Sequence, residues 1–439
     1  VTGKEIALVG LSNGVGFVDV TAPEAPVYLG KLPSATTGNN SWRTFRVDGD
    51  YVYVGSEAQG HGVQVFSLAR LRGVTAPQAF TADARYTRVS NVHTLVANAG
   101  FLYLAGSNNT IGATNPTCVS SGLHIVDVRN PLAPTYAGCY QGDGYTHEAQ
   151  CLTYAGPDAD YAGRELCFAY QGQEGSNFLG ELTVVDMTNK AAPVRISTAN
   201  YPSPGYSHQG WLTPDGQRVL INDEFDASPQ GARTIVMDVE DLDDIGFLSN
   251  YYSPEPTYAH NLYTRGQYAY LSNYTSGLRI VDLAALTTTG TLTEVAHFDT
   301  YNQDDSREYE GQWMNYPYFA SGTVVATDIN NGFFVLRPTG LNPVAVEPVS
   351  PAAGGLSLGA PAPNPTASES RLRLTASEPQ AVRAVLVDVL GREVAVLFDG
   401  TADGATDLVV RAGSLRPGTY VVRVTGERGA ATRTVVVVR

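Results

Sequence analysis

Gly122-Leu123-His124-Ile125-Val126-Asp127-Val128-Arg129-Asn130-Pro131-Leu132-Ala133-Pro134 recurs in close variants from the start of the chain to about residue 337. Its relatives are Gly16-Phe17-Val18-Asp19-Val20-Thr21-Ala22-Pro23, Leu182-Thr183-Val184-Val185-Asp186-Met187, Thr234-Ile235-Val236-Met237-Asp238-Val239 and Gly277-Leu278-Arg279-Ile280-Val281-Asp282-Leu283. In each, four or five successive positions are mostly apolar, an Asp stands near the end, and small or turn-forming residues follow. That pattern predicts a buried β-strand closed by an Asx-type turn.

The strand belongs to a longer unit. Each unit opens on a polar or aromatic residue, usually His, ahead of a mixed apolar run: Ser41-Trp42-Arg43, Asn91-Val92-His93, Tyr145-Thr146-His147, Tyr206-Ser207-His208, Tyr258-Ala259-His260 and Gly311-Gln312-Trp313. Successive openings lie about 50 to 60 residues apart, the period of kelch-like propellers. In the third unit, strand A is expected over His147 to Tyr154, strand B over Glu165 to Tyr170, strand C over Leu182 to Met187 and strand D over Val194 to Ser197. Four short antiparallel strands cannot bury both faces alone, so the units should pack round an axis as the blades of a β-propeller.

Residues 5 to 32 supply strands B, C and D, five complete units follow, and Gln312 to Leu336 supplies A, B and C. This favours seven blades over six. An absent first A strand would leave an open seam, or a slot that another chain could fill. The propeller is expected over residues 1–338, with a Pro/Ala/Gly-rich linker at 339–357. Residues 358–439 should form a small Ig-like β-sandwich, with strands over Arg371 to Thr375, Val382 to Leu390, Glu393 to Phe398, Thr406 to Arg411, Gly418 to Val424 and Ala431 to Val438. The fold class is all-β.

A formal charge of −15 disfavours a nucleic-acid partner, because phosphate binding needs clustered Lys and Arg. No apolar run is long enough to span a bilayer. A chain that opens without Met, inside the strand-like Glu5-Ile6-Ala7-Leu8-Val9, is expected to be processed or trimmed. The four cysteines are Cys118, Cys139, Cys151 and Cys167. Pairing Cys118 with Cys139 and Cys151 with Cys167 joins neighbouring antiparallel strands and is the economical arrangement. Zinc sites use shorter C-x-x-C steps, so disulfides and an oxidising compartment are expected.

Two resemblances rest on these residues. The repeats, with Gly144-Tyr145-Thr146-His147-Glu148-Ala149-Gln150-Cys151, Tyr206-Ser207-His208-Gln209-Gly210-Trp211-Leu212, His260-Asn261-Leu262-Tyr263 and Ser272-Asn273-Tyr274-Thr275-Ser276-Gly277-Leu278-Arg279-Ile280-Val281-Asp282, resemble the choice-of-anchor B family of LVIVD-repeat propellers. That resemblance implies an exported surface protein without a set biochemical activity. The C-terminal part is similar to the type A sorting domain of the type IX secretion system, through Pro361-Ala362-Pro363-Asn364-Pro365, Val387-Asp388-Val389-Leu390-Gly391-Arg392-Glu393-Val394, Leu415-Arg416-Pro417-Gly418-Thr419-Tyr420 and the final Thr434-Val435-Val436-Val437-Val438-Arg439. It implies passage across an outer membrane, with the type IX machinery as partner through residues 358–439.

In an antiparallel blade the start of strand A and the end of strand B share an edge, and the A strands surround the axis. His93, His147, His208 and His260 should therefore converge on one mouth of the channel, with Arg43 and Trp313 in equivalent places. Glu57, Asn108, Gln171, Asp223, Glu224 and Asn273, which end the B strands, should meet them there. Imidazoles and carboxylates together could bind a transition metal or an anionic ligand. The plainer reading is that each His fixes its blade by hydrogen bonding to neighbouring backbone. One zinc ion cannot be reached from opposite walls, although adjacent blades could share one.

Asp19, Asp127, Asp186, Asp238 and Asp282 each stand alone before a turn, which favours Asx capping over calcium. Asp223, Glu224 and Asp226 form the better local candidate for Ca²⁺ or another divalent metal, against a plain acidic loop. No G-x-S-x-G elbow, H-E-x-x-H helix or phosphate-binding glycine loop is present, and Gly60-His61-Gly62 reads as a turn. On a regular strand His147 and Glu148 would point to opposite faces, which is no acid–base pair. Aromatic residues at the mouth could stack on sugars. The expected role is a secreted or cell-surface binding, adhesion or surface-assembly module, with a surface glycan, a protein or a second copy as partner. The alternative is a hydrolase or lyase acting on glycan or peptide through His and carboxylate groups at the mouth.

Overall fold

The computed structural model of the 439-residue chain describes residues 4–109, 122–141, 145–174, 177–226, 228–286, 290–341, 356–359, 361–364, 366–388, 393–415, 418–426 and 429–438. The chain divides into two compact units, Val1–Asn342 and Pro343–Arg439. Among the described residues no helix is long and apolar enough to cross a membrane.

Among the described residues the first unit holds seven sheets of three or four strands in chain order, and a two-stranded ladder of Val89–Asn91 with Asn108–Asn109. Blade 1 is Ile6–Leu11, Gly14–Asp19 and Val27–Pro33, with Gln78–Ala79 added in parallel on the outer side. Blade 2 is Arg43–Asp48, Tyr51–Ser56, Val63–Ser67 and Ala84–Tyr86; blade 3 is Thr94–Asn98, Phe101–Ala105, Leu123–Asp127 and Thr135–Tyr140. Blade 4 is Tyr145–Thr153, Glu165–Glu174, Asn177–Asp186 and Val194–Asn200; blade 5 is Ser207–Leu212, Arg218–Asp223, Arg233–Asp238 and Gly246–Tyr252. Blade 6 is Leu262–Arg265, Tyr268–Ser272, Leu278–Asp282 and Thr293–Phe298, and blade 7 is Gln312–Tyr316, Val324–Asp328 and Gly332–Leu336. The fold is therefore a seven-bladed β-propeller. Blade 1 has no strand inside Ile6–Leu11 among the described residues, and blade 7 has three strands.

The continuous apolar run of each third strand has a direct cause. Alternate side chains of a strand point to opposite faces, and in a ring of blades both faces are covered. Leu182 and Val184 pack with Val219, Ile221, Ile235 and Met237 of blade 5. Val185, on the opposite face, packs with Tyr103, Leu123 and Ile125 of blade 3. Val236 then joins Leu262, Leu271 and Val281 of blade 6, while its neighbours Ile235 and Met237 face blade 4. The last blade meets the first: Val325 packs with Ala7 and Val20, and Ser321 donates from its backbone N and its Oγ to Glu5 at 2.8 and 2.6 Å.

The repeated aspartates make Asx turns. Asp19, Asp127, Asp186, Asp238 and Asp282 each accept a hydrogen bond at Oδ1 from the backbone N–H two residues on, at 2.7 to 3.1 Å. That bond stops the strand at the same point in these five blades. Cys151 and Cys167 face one another across adjacent strands of blade 4 and are disulfide-bonded. Cys139 is also disulfide-bonded, and Cys118, the partner expected for it, lies outside the described residues.

The second unit departs from the expected six short strands. Glu369–Asp388 and Glu393–Arg411 run continuously beside each other, accompanied by Leu356–Leu358, Gly418–Gly426 and Gly429–Val437. The gap expected between Thr375 and Val382 is a register shift within one strand instead: the pairing jumps from Ala376 to Gln380 and then resumes. Leu372, Leu374, Ala384 and Leu386, from both halves of the long strand, share one core with Leu408, Val422 and Val435. Most of the expected linker, 342–355, and the Leu390-Gly391-Arg392 turn lie outside the described residues.

The disulfide closes a loop with a sequence separation of 16, for which chain-entropy reasoning gives about 3 kcal/mol. A Cys151→Ala, Cys167→Ala double variant is expected to lose stability of that order in urea denaturation of the oxidised protein. An unchanged midpoint would show that the bond adds nothing to blade packing.

Candidate functional site

The inner strands begin irregularly, and the irregularity builds the site. In blade 4, Thr146 faces Gln171 and Glu148 faces Tyr170, so His147 is the extra residue of a β-bulge. His208 is the extra residue between Ser207 and Gln209 in blade 5, and Trp313 between Gln312 and Met314 in blade 7. A bulge re-aims one side chain without ending the ladder. The regular alternation expected of His147 and Glu148 is thus interrupted by the extra residue. His147 joins the mouth, and Glu148 reaches Arg46 of blade 2 at 3.1 Å further along the inner strands.

With His93 and His260, the re-aimed rings form a continuous stack of mutually tilted rings around the mouth. His93 to His147, His147 to His208, His208 to His260 and His260 to Trp313 are each 4.3 Å between ring centroids. His147 donates from Nδ1 to the His208 carbonyl at 2.9 Å. His260 does the same to the Trp313 carbonyl at 2.5 Å, so these two imidazoles each tie a blade to the next. His93 Nδ1 instead meets the Glu57 carboxylate at 2.5 Å. Burial holds His147 and His208 well below the ordinary imidazole range, with neighbouring imidazoles adding to the effect. Burial also pushes His260 down to about 3. These three rings are neutral at neutral pH.

Above the stack lies a cavity of about 360 Å³ lined by Glu57, His93, Tyr145, His147, Tyr206, Glu224 and Phe225. Two glycines make room for its tyrosines. A Cβ at Gly106 would come within 2.5 Å of Tyr145 Oη and of His93 Cβ, and one at Gly172 within 2.4 Å of the Tyr206 ring. Tyr206 packs edge-on to His147 at 5.2 Å and against Phe225 at 4.7 Å. Tyr258 and Tyr309 stack nearly parallel at 4.7 Å, and Tyr309 also packs on Phe225.

Of the residues that end the B strands, Glu57 and Glu224 face the cavity. Asn108 pairs with Asn91 in a short ladder, Gln171 accepts from Thr146 Oγ1, and Asn273 donates to Ser253. Arg43 is spent on blade packing: its guanidinium donates to the carbonyls of Leu11 and Ser12 in blade 1. The acidic run does not gather its carboxylates. Asp223 is fully buried and accepts from Tyr201 Oη and the backbone N–H groups of Gly205 and Tyr206. Asp226 is paired with Arg233. Glu224 alone turns to the mouth, where Tyr274 Oη donates to Oε1 at 2.6 Å and burial pushes its carboxyl up to about 6. A local calcium loop at 223–226 is thereby replaced by three carboxylates with separate duties.

Sequence reasoning did not single out Tyr145, Tyr206 and Phe225 as cavity walls. Tyr145 and Tyr206 stand two residues before the repeated histidines, and that offset was the available signal. The buried Arg46–Glu148 pair, with Tyr263 beside it, had none, because its members come from distant blades.

The chain is a seven-bladed β-propeller with a mouth of neutral imidazoles, two carboxylates and aromatic walls. Residues 256–300 match the LVIVD repeat family. Among solved structures, the chain is similar to a protein from Lactobacillus plantarum, at 13% identity and a TM-score of 0.51, covering 93% of this chain and 100% of that one. It is also similar to the periplasmic gluconolactonase of Pseudomonas aeruginosa, at 14% identity and a TM-score of 0.50, covering 91% and 97% respectively. Both likenesses concern the fold. No curated protein matches the sequence.

Two outcomes follow from this geometry. Unfolding exposes His147, His208 and His260, which then take up protons below the ordinary value of 6.5, whereas the folded chain holds off protonation of His260 until about 3. The stability they contribute is full above about 6.5 and is lost as the pH falls, by up to about 1.4 kcal/mol per unit for each. Glu224, raised from 4.5 to about 6, acts in the opposite sense, as do Glu148 and Asp226, but His61 and His124, each lowered to about 4, join the three imidazoles and keep the histidines in the majority. Urea midpoints are expected to fall between pH 7 and pH 5, and a flat profile would contradict neutral burial. Gly172→Ala is expected to cost about 1–3 kcal/mol by overpacking against Tyr206, while Gly413→Ala, with nothing within 4 Å of its Cβ, should cost little; thermal melts of the two variants check this.

Proposed function

We propose that this protein is an exported cell-surface propeller that binds a polyhydroxylated ligand, a glycan, at the mouth of its channel. The observation that carries this reading is the cavity of about 360 Å³ in which Tyr145, Tyr206 and Phe225 supply ring faces and edges while Glu57 and Glu224 supply carboxylate acceptors. Sugars have apolar C–H faces that pack on aromatic rings and hydroxyls that donate to carboxylates. Phe225 and Tyr309 are 40% and 46% exposed and extend the aromatic surface outward from the cavity.

Export is supported by other features. The repeats resemble the choice-of-anchor B family, and residues 358–439 resemble a type IX sorting domain that would engage that machinery. The cross-strand Cys151–Cys167 disulfide suits an oxidising compartment. The charge of −15 disfavours nucleic acid as an alternative partner.

A glycan panel probed with the intact chain is expected to return a saturable ligand, with Tyr206→Ala and Phe225→Ala each weakening it about tenfold. Absence of any glycan ligand, or binding unchanged in both variants, would overturn the reading. For export, the full chain and a chain ending at residue 342 are expressed in a bacterium that has a type IX system. The full chain is expected at the cell surface and the shortened one in the periplasm.

A further inference from the structure

We propose that His208, Glu224 and His260 form a binding site for one divalent transition-metal ion of the zinc class, beside the cavity floor. This does not rest on the glycan reading, and either stands without the other.

Three observations meet here. His208 Nε2 lies 3.6 Å from Glu224 Oε2, and His260 Nε2 lies 3.8 Å from Glu224 Oε1. Ligand atoms from all three residues lie within 4.8 Å of one another. Two donors on a tetrahedral zinc ion, each bonded at 2.0 to 2.2 Å, stand roughly 3.4 Å apart. The gaps are thus those of ligands around a small cation, and are too wide for hydrogen bonds.

The proton on His260 is placed by its partner. Its Nδ1 faces the Trp313 carbonyl, which Asn261 Nδ2 also reaches at 3.1 Å. A carbonyl only accepts, so Nδ1 carries the hydrogen and Nε2 presents its lone pair to Glu224. Two acceptors therefore face each other in a buried place. Anchoring a metal-binding imidazole through its other nitrogen to a carbonyl is the usual second contact of such sites. The same contact that stitches blade 6 to blade 7 thus orients Nε2 for a metal.

The charge is also unbalanced. Among the described residues Glu224 has no Lys or Arg ion partner; its ion-pair neighbours are these two imidazoles. The side chains of His208, Glu224 and His260 are 5%, 13% and 3% exposed. A divalent ion would offset the buried carboxylate and satisfy the His260 lone pair. Two nitrogens and one oxygen select a borderline metal such as Zn²⁺ over Ca²⁺, which takes six to eight oxygens. Glu224 lines the cavity, so the remaining coordination position would open toward it and could take water or a ligand hydroxyl.

The test uses the intact chain, stripped with a chelator and titrated with Zn²⁺ by calorimetry, and with Co²⁺ by visible absorption. One equivalent of Zn²⁺ is expected, with an intense four-coordinate Co²⁺ spectrum. Glu224→Gln, which keeps shape and loses the charge, should weaken Zn²⁺ at least about tenfold. His260→Ala should abolish the Co²⁺ spectrum, and His297→Ala, on an exposed outer strand, should change neither. Each variant is checked by circular dichroism, and Glu224→Gln decides the matter if His260→Ala fails to fold. No stoichiometric Zn²⁺ binding by the native chain, or binding unaffected by Glu224→Gln, would overturn the proposal and leave the glycan measurements unaffected.

Discussion

The mouth of this propeller depends on one contact, the hydrogen bond from an inner-strand imidazole to the backbone of the next blade. His147 reaches the His208 carbonyl and His260 reaches the Trp313 carbonyl. Thr94 and Gln209 make comparable bonds, to the carbonyls of His147 and Leu262. Main-chain hydrogen bonds between blades are isolated, as from Gln312 N to Tyr274 O at 2.9 Å, so side chains supply further polar links. Using Nδ1 for this fixes the ring orientation and leaves Nε2 for the centre. A structural role and a binding role are therefore compatible in one imidazole.

That arrangement is expensive without compensation. Burying neutral imidazoles forgoes their hydration, and a buried carboxylate among them costs more. The cost is borne by the packing around the ring, where each third strand is covered on both faces by the adjoining blades. The Asx turns stop those strands at matching points, so the edges of successive blades stay in step. The same regularity places the B-strand ends beside the histidines, which is how Glu57 and Glu224 come to the cavity.

Much of the propeller was legible because its signals are periodic. The repeated apolar run followed by Asp, the spacing of the openings and the partial first and last units all follow from side-chain alternation and turn chemistry. The second unit was less legible: a gap is expected between Thr375 and Val382, yet the pairing only shifts register there and the strand continues. The regular strand assumed at His147 and Glu148 is interrupted for a related reason, since alternation holds only where the ladder has no extra residue. Arg43 shares the position of the histidines in its blade but is drawn to blade 1 by the carbonyls of Leu11 and Ser12.

The amino-acid sequence by itself determined the all-β class, the four-stranded unit and the gathering of A-strand openings on one rim, and favoured seven units over six, because these depend on contacts within one repeat and on repetition. Tertiary structure alone decided which groups at that rim share a space. The separation of Glu224 from Asp223 and Asp226, the pairing of Arg46 with Glu148 and the aromatic walls from Tyr145, Tyr206 and Phe225 depend on distances between blades. Those distances are set by how far each bulge turns a side chain and by what the neighbouring sheet leaves unfilled.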